Sequence, residues 1–189
     1  MEHIKERNEE RTPDPILNLR FARLEAKKVM EKEAHYTDDK VYAPKVSIWW
    51  EILDDKSGGG HNGTRFWDNY SFVKSYDDEK KYVIRKGTRI GDLAAFMAYE
   101  FHNGADYFES DVEVAFEDLE GEEVVASLEP RRFKEGEPPT GTRTVSTTLQ
   151  LAERAEKVTS SASLHEYQEE AARTAVEAEE DEDFEDLPF

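Results

Sequence analysis

The chain has 189 residues, of which 37% are hydrophobic and 37% are charged, a length that suits one ordinary domain with tails rather than two domains. It contains no cysteine, which excludes disulfides and thiolate metal sites and fits a reducing compartment. No apolar run approaches the ~20 residues of a membrane span, and the charged N-terminus lacks the apolar segment of a signal peptide. We therefore expect a soluble, cytoplasmic protein.

The net charge of −19 is distributed unevenly along the chain. Residues 166–189 account for −10 of it, and the other 165 residues carry −9. An acidic body disfavours contact with phosphate, which needs Lys and Arg, unless those residues gather in one place. Any nucleic-acid site in this chain must therefore be a local basic groove.

Regular structure is predicted to begin near Ile16. Residues 1–15 are highly charged, carry two prolines and show no apolar repeat, which predicts a disordered arm. Residues 19–34 are compatible with a helix by propensity, but residues 18–24 also alternate as a strand does. We favour the strand because the segments that follow are β-like.

The run at residues 45–53 is the clearest strand of the sequence. Its alternation predicts one buried face, which carries Val46, Ile48, Trp50 and Ile52. The opposite face carries Lys45, Ser47, Trp49 and Glu51. A Gly-rich loop follows at residues 54–63, and residues 64–72 are again rich in β-preferring side chains. The two runs predict a long hairpin.

One helix is predicted, with Thr88 as its N-cap and Asn103-Gly104 at its end. Its apolar residues recur at helical spacing, namely Ile90, Leu93, Ala94, Met97 and Phe101. Further strands are predicted at residues 112–116 and 124–128, and residues 142–149 can supply the last one.

The predicted order is three strands, one helix and two strands, or the same order with an extra hairpin at residues 112–128. A five-stranded barrel with one helix between strands 3 and 4 is the order of the OB-fold. We therefore predict a mainly β, OB-fold-like domain at residues 16–150, the alternative being another small β-barrel or sandwich with one helix. The composition of residues 151–176 predicts a flexible linker, which leaves residues 177–189 as an acidic tip.

The last 13 residues contain eight acids and no base, and they end in Leu187-Pro188-Phe189. Phe189 combines an aromatic ring with the terminal carboxylate, which suits an apolar pocket rimmed by Arg or Lys. The segment Asp183-Phe184-Glu185-Asp186-Leu187-Pro188-Phe189 resembles the acidic tip of bacterial single-stranded DNA-binding proteins, with Leu187 where Ile is usual. The resemblance implies that the tip recruits replication, recombination or repair proteins.

Parts of the predicted core are similar to a second group, the phage-encoded proteins associated with recombination and single-strand binding. The similarity lies in Trp49-Trp50-Glu51-Ile52-Leu53, the Gly-rich loop, Gly63-Thr64-Arg65-Phe66-Trp67-Asp68-Asn69 and Phe116-Glu117-Asp118-Leu119-Glu120-Gly121. It implies a phage or prophage origin, which would make the host cytoplasm the location, and a protein that coats and protects single-stranded DNA.

A face that binds single strands needs aromatic rings that stack on bases and cations that follow phosphates. Trp49 and Trp67 are the best stacking candidates, against the rule that aromatics in strands more often belong to a core. Basic clusters at residues 80–89 and 131–134 are candidates for phosphate contacts, the alternative being plain solvated surface. The predicted DNA-binding residues are Tyr42, Lys45, Trp49, Arg65, Trp67, Tyr70, Phe72, Lys80, Lys81, Arg85, Lys86, Arg131 and Arg132.

Neither an enzyme nor a cofactor nor a metal site is predicted. The five histidines are scattered singly, and the Gly-rich loop lacks the Lys-Ser/Thr of a phosphate-binding loop. Two functions remain open. The first is a monomer or homo-oligomer that coats single-stranded DNA and recruits partners, and the second is an acidic adaptor or DNA mimic that binds a basic protein without contacting DNA.

Overall fold

The computed structural model describes residues 13–37, 40–56, 58–78 and 81–153. Within these ranges it confirms a mainly β protein with one α-helix, and the compact unit ends at Ala152. The elements in chain order are β1 (Leu19–Lys32), β2 (His35–Tyr36), β3 (Val41–Tyr42), β4 (Lys45–Asp55), β5 (Arg65–Ser71), β6 (Val73–Lys74), β7 (Tyr82–Val83), α1 (Arg89–Phe101), β8 (Glu123–Arg131), β9 (Gly141–Thr144) and β10 (Gln150–Leu151).

Six of the strands form the main sheet, in the order β10-β8-β1-β4-β5, with β9 also paired to β8. All of these pairs are antiparallel. Two small hairpins, β2–β3 and β6–β7, lie outside the main sheet. No backbone ladder joins β5 to β9 in the described part of the chain, so the sheet is open rather than closed into a barrel.

The long strand β1 lies inside the sheet, and the ambiguous segment after residue 18 is thus a strand and not a helix. Strand β4 pairs along most of its length, whereas β8 pairs with its first half. Ala22, Leu24 and Ala26 are fully buried, which is the period-2 pattern of a strand with one face in the core. A register shift between Ala26 and Lys28 inserts Lys27 as an extra residue, a β-bulge.

The hairpin of β4 and β5 confirms the strands predicted on either side of the Gly-rich loop. The side chains of the predicted inner face are all fully buried, namely Val46, Ile48, Trp50 and Ile52. In the loop, Gly58 and Gly63 have φ values of 72° and 80°, where a side chain would be strained. The inner face of the hairpin therefore belongs to the core, and its outer face is left for other contacts.

Helix α1 confirms the predicted helix, because Thr88 accepts a hydrogen bond from the Gly91 amide at 3.2 Å. After Phe101 the chain turns at Asn103 and Gly104, both with positive φ. The apolar side of α1 packs into the core. No helix in the described ranges has the length and apolar character needed to cross a membrane.

Two strand predictions in the second half of the chain are wrong in whole or in part. Residues 112–115 form no strand, and a short 3-10 helix at Phe116–Leu119 follows, with Phe116 and Leu119 buried. The alternating apolar residues there anchor an irregular segment to the core. The strand predicted for residues 142–149 stops at Thr144, after which the chain makes a second 3-10 turn at Ser146–Thr148.

The end of the predicted disordered arm differs from that prediction, because residues 13–15 contact the folded unit. The Thr142 hydroxyl donates a hydrogen bond to the carbonyl oxygen of Pro15 at 2.5 Å. Arg131 Nη2 lies 3.4 Å from Asp14 Oδ2. These polar contacts with β8 and β9 hold a segment that has no apolar pattern of its own.

A buried polar cluster of Asp68, Tyr70, Arg89 and Thr144 connects β5, β9 and α1. The carboxylate of Asp68 is fully buried and accepts hydrogen bonds from the amide and the hydroxyl of Thr144, each at 2.8 Å. Arg89 Nη2 donates to the same carboxylate at 2.8 Å. A buried charge is tolerated only when it is paired in this way. Side chains thus hold β9 beside β5 where the backbone ladder is missing.

The cluster also changes the ionisation of its members. Burial, and then the Asp68 carboxylate, raise the pKa of Tyr70 above its ordinary value. Burial acts to lower the pKa of Arg89, but Asp68 and Tyr70 act against burial, and the net shift of that pKa is upward. At neutral pH the cluster therefore contains a neutral phenol and a charged guanidinium.

Candidate nucleic-acid interface

The outer face of β1, β4 and β5 carries side chains in rows that run across the three strands. The pairing register defines four rows. The acidic row consists of Glu25, Glu51 and Arg65; the tryptophan row of Lys28, Trp49 and Trp67; the polar row of Met30, Ser47 and Asn69; and the lysine row of Lys32, Lys45 and Ser71. Residues two apart along a strand are neighbours on one face, so these rows lie side by side, with Ser47 in their middle only 2% exposed.

The two tryptophans of the tryptophan row form an aromatic pair. Trp49 and Trp67 face each other across β4 and β5, with ring centroids 4.8 Å apart and planes tilted by 46°. Both side chains are partly exposed, unlike Trp50 on the other face, which is completely buried. Their indole rings therefore provide an apolar platform on the outside of the sheet.

A groove of about 470 Å³ begins beside this platform. Its lining combines the polar row, the two lysines of the lysine row and Trp67 with residues before β1 and around the turn between β8 and β9. The residues that line it are Pro13, Asp14, Met30, Lys32, Lys45, Ser47, Trp67, Asn69, Arg131 and Thr140. The Ser47 hydroxyl donates to Asn69 Oδ1 at 2.7 Å, which fixes the polar part of the lining.

The groove is bordered by cations. Lys32 and Lys45 lie opposite each other on β1 and β4, and Arg131 lies at the end of β8. The guanidinium of Arg131 is near Asp14, at 3.4 Å, and 5.8 Å from the ring centre of the exposed Phe133. Three predicted DNA-binding residues, Lys45, Trp67 and Arg131, thus meet in one groove, and Trp49 adjoins it.

The acidic row at the other side of the tryptophans is internally neutralised. Glu51 Oε2 accepts from Arg65 Nε and Nη2 at 2.8 and 2.7 Å. Lys27 Nζ lies 2.7 Å from Glu25 Oε2 and 3.9 Å from Glu51 Oε2. Arg65, which the sequence suggested as a DNA contact, is therefore already engaged by a carboxylate.

The remaining aromatic candidates have different positions. Tyr42 is half exposed on β3, outside the main sheet, and its ring stacks on His35 at 6.2 Å. Phe72 follows β5 and packs against the core. Tyr70 is fully buried and has no exposed surface on which a base could stack. Its position has the same parity as the buried Phe66 and Asp68, opposite to that of Trp67.

The basic cluster before α1 does not line the groove. Lys81 and Lys86 are exposed, and the guanidinium of Arg85 lies 4.3 Å from the ring centre of Tyr76. Lys80 lies outside the described residues. Arg89, the last cation of this run, belongs to the buried cluster with Asp68. The second predicted cluster is divided in a similar way, since Arg132 donates to the Glu137 carbonyl at 2.5 Å while Arg131 lines the groove.

Sequence reasoning missed the part of the surface that β1 contributes. Lys28, Met30 and Lys32 share a face with Trp49, Ser47 and Lys45. The alternation of residues 18–24 was the available signal, but the bulge at Lys27 breaks its continuation toward Lys32. The contribution of Asp14 was missed because residues 1–15 were assigned to an arm.

Among the residues that the structure describes, no group of three or more His, Asp or Glu side chains is placed so that it could hold a metal ion. The predicted partner-binding tip, Asp183, Phe184, Glu185, Asp186, Leu187, Pro188 and Phe189, lies outside the described residues. No protein-family model matches the chain, and a search of curated proteins finds no match either.

Proposed function

We propose that the protein binds single-stranded DNA along the groove beside Trp49 and Trp67. The observation that carries this proposal is the tilted tryptophan pair on the outside of the sheet, adjoining a groove bordered by Lys32, Lys45 and Arg131. Indole rings stack on bases whatever the sequence, and each stacked base is worth about 1–3 kcal/mol. The cations attract the phosphates that connect those bases.

The groove offsets the acidity of the whole chain locally. Lys28 and Lys32 form no ion pair with any other described residue, and they lie on the same face as the tryptophans. Counterions released from the DNA backbone by such lysines favour binding, most strongly at low salt. Binding by this groove is therefore compatible with a net charge of −19.

The fold that we propose is an open relative of the OB-fold. Strands β1, β4 and β5 precede α1 in the chain, and β8 and β9 follow it. The hydrogen bonds from Thr144 to Asp68 would take the place of the ladder that closes a barrel of this kind. The groove then lies on the outer side of the first three long strands, and OB-folds bind oligonucleotides on the face of their second and third strands.

A second part of the proposal concerns the acidic tip at residues 177–189. Its acidic sequence and terminal Leu187-Pro188-Phe189 support a role in recruiting replication or recombination proteins, in a phage or cellular setting. The Ala-, Glu-, Ser- and Thr-rich linker before it would let the tip act apart from the groove.

The test is a titration of fluorescein-labelled oligo-dT, followed by anisotropy, at two salt concentrations. The wild type should bind at low salt and weaken as salt rises. Trp49→Ala and Trp67→Ala should each weaken binding by about one stacked base, roughly 5- to 150-fold. Tyr99→Ala, which removes an aromatic side chain exposed on α1, is the matched control and should leave binding unchanged.

The rival adaptor function predicts a different outcome. If the wild type does not bind oligo-dT even at low salt, DNA binding is excluded and the acidic surface becomes the functional one. Equal losses in the tryptophan variants and in Tyr99→Ala would show that binding occurs away from the groove.

A further inference from the structure

The outer face of the sheet changes its electrostatic character abruptly at the tryptophan row. On one side, the groove is bordered by Lys32, Lys45 and Arg131. On the other side, the two carboxylates of the acidic row, Glu25 and Glu51, accept from Lys27 and Arg65. Arg131 is itself paired with Asp14, but Lys32 and Lys45 leave an excess of positive charge on the groove side, whereas on the other side Glu25 and Glu51 match Lys27 and Arg65.

Glu51 is the centre of the neutralised side. Its side chain is only 17% exposed, and its Oε2 accepts from two nitrogens of Arg65 while Lys27 Nζ lies 3.9 Å away. Turning Arg65 toward a phosphate would leave this largely buried carboxylate with only the more distant Lys27 as a counter-charge. The approaching phosphate would also meet the negative charges of Glu25 and Glu51 at short range.

We infer that Glu51, supported by Glu25, is an end stop that fixes where the single-stranded DNA site terminates, an inference that rests on the proposed DNA binding. The strand runs from the tryptophan row toward the lysine row and Arg131, and no phosphate is held beyond the tryptophans. Arg65 and Lys27 are then cations kept from DNA by the carboxylates, and Glu51 determines the length of strand that the protein covers.

Three proteins provide the main test, namely the wild type, Glu51→Gln and the control Glu129→Gln. Glu129 pairs with Arg143 at 2.7 Å on β8 and β9, so its substitution removes one charge from a similar ion pair that does not belong to the acidic row. Each protein is titrated against labelled oligo-dT of increasing length by anisotropy, across a fourfold range of salt. The readouts are the shortest oligonucleotide that binds with full affinity and the slope of log affinity against log salt.

Removal of the end stop should lengthen the site. For Glu51→Gln we expect a longer minimal oligonucleotide and a slope steeper by roughly 0.7 for each newly contacted phosphate, so that fourfold more salt weakens binding ~2.6-fold more per phosphate. Glu129→Gln should keep the wild-type length and slope. The double variant Glu51→Gln/Arg65→Gln should lose the gain, because the released cation is gone.

Two controls keep the outcomes distinct. Circular dichroism verifies folding, and if Glu51→Gln does not fold, Glu25→Gln replaces it, since it releases Lys27 by the same mechanism. A wild type that binds while Glu51→Gln, or Glu25→Gln in its place, matches Glu129→Gln in both readouts overturns the end stop and leaves the proposed function intact. A wild type that does not bind oligo-dT overturns both.

Discussion

The amide of Thr144 donates a hydrogen bond to Asp68 Oδ2 at 2.8 Å and so connects two strands, β9 and β5, that share no backbone ladder. Asp68 is fully buried, and Arg89 brings the compensating charge from α1. One carboxylate thus joins three elements at the place where the sheet is open.

Replacing Asp68 should therefore destabilise the fold strongly. Asp68→Ala removes the counter-charge of Arg89 and the acceptor of the Thr144 amide and hydroxyl, and the loss of one partner of a buried ion pair costs about 3–5 kcal/mol. Urea denaturation followed by circular dichroism measures the change in the free energy of unfolding. Glu129→Gln, which breaks an ion pair with more exposed side chains, should change it by about 1 kcal/mol or less. Equal effects of the two variants would contradict the role given to Asp68.

Tyr70 should make the protein sensitive to alkaline pH. Burial and the Asp68 carboxylate raise the pKa of Tyr70 in the folded state, whereas in the unfolded chain it ionises near ~10. The stability that this shift contributes is therefore complete below pH ~10 and is lost as the pH rises toward the folded-state value. Above pH ~10 the wild type should lose ~1.4 kcal/mol per pH unit more than Tyr70→Phe. Parallel stability curves for the two proteins between pH 9 and 12 would argue against the shift.

Lysines on the groove should control the salt dependence of DNA binding. Lys32→Gln and Lys45→Gln each remove one cation from the lysine row, so each should reduce the slope of log affinity against log salt by roughly 0.7. Lys74→Gln is a suitable control, because Lys74 is exposed on β6 and does not line the groove. A slope that changes as much in the control as in the two variants would place the phosphate contacts elsewhere.

Gly91 in the first turn of α1 should not tolerate a side chain. A methyl group at this position would lie 2.1 Å from the carbonyl oxygen of Arg85, which is backbone and cannot move aside easily. Glycine to alanine in a helix is ordinarily stabilising by about 0.5–1 kcal/mol, but here overpacking should destabilise by about 1–3 kcal/mol. Thermal unfolding of Gly91→Ala shows whether the melting temperature falls, as we expect. A higher melting temperature than that of the wild type would contradict the predicted clash.

The acidic tip should not be needed for contact with DNA. Deleting residues 177–189 removes eight acids, so oligo-dT binding should be unchanged or stronger, most clearly at low salt. A deletion variant that bound far more weakly than the full chain would mean that the tip contributes directly to the DNA site.

The sequence predicted the elements whose pattern is local. Val46 to Ile52 alternate regularly, and Thr88 with Asn103-Gly104 marks both ends of the helix, so β4 and α1 were identified closely. The sequence named Trp49 and Trp67 as stacking candidates on the two strands of the hairpin, and the structure adds that they pair with each other.

Such local patterns did not predict contacts between residues that are far apart in the chain. In the sequence, Asp68 is indistinguishable from any polar residue of a strand. Its burial depends on contacts with Arg89 and Thr144, which come later in the chain. Tyr70 was assigned to the surface as an aromatic candidate, although its parity with Phe66 already indicated the core. The lysines of β1 were missed because the bulge at Lys27 interrupts the alternation there.

The position of β1 has a consequence for how the chain acquires its fold. Although β1 precedes the other described strands in the chain, the Leu17 amide just before it bonds to the Thr142 hydroxyl, 125 residues away, and Arg23 bonds to Glu123, 100 residues away. Contacts between residues so far apart in sequence form slowly, because the entropy of closing a long loop is lost before the contact can stabilise the fold. Until β8 leaves the ribosome, one edge of β1 stays unpaired and open to other nascent strands. We therefore expect folding to be completed only after the last third of the compact unit has been synthesised, and slower translation before β8 to prolong the interval in which the chain can aggregate.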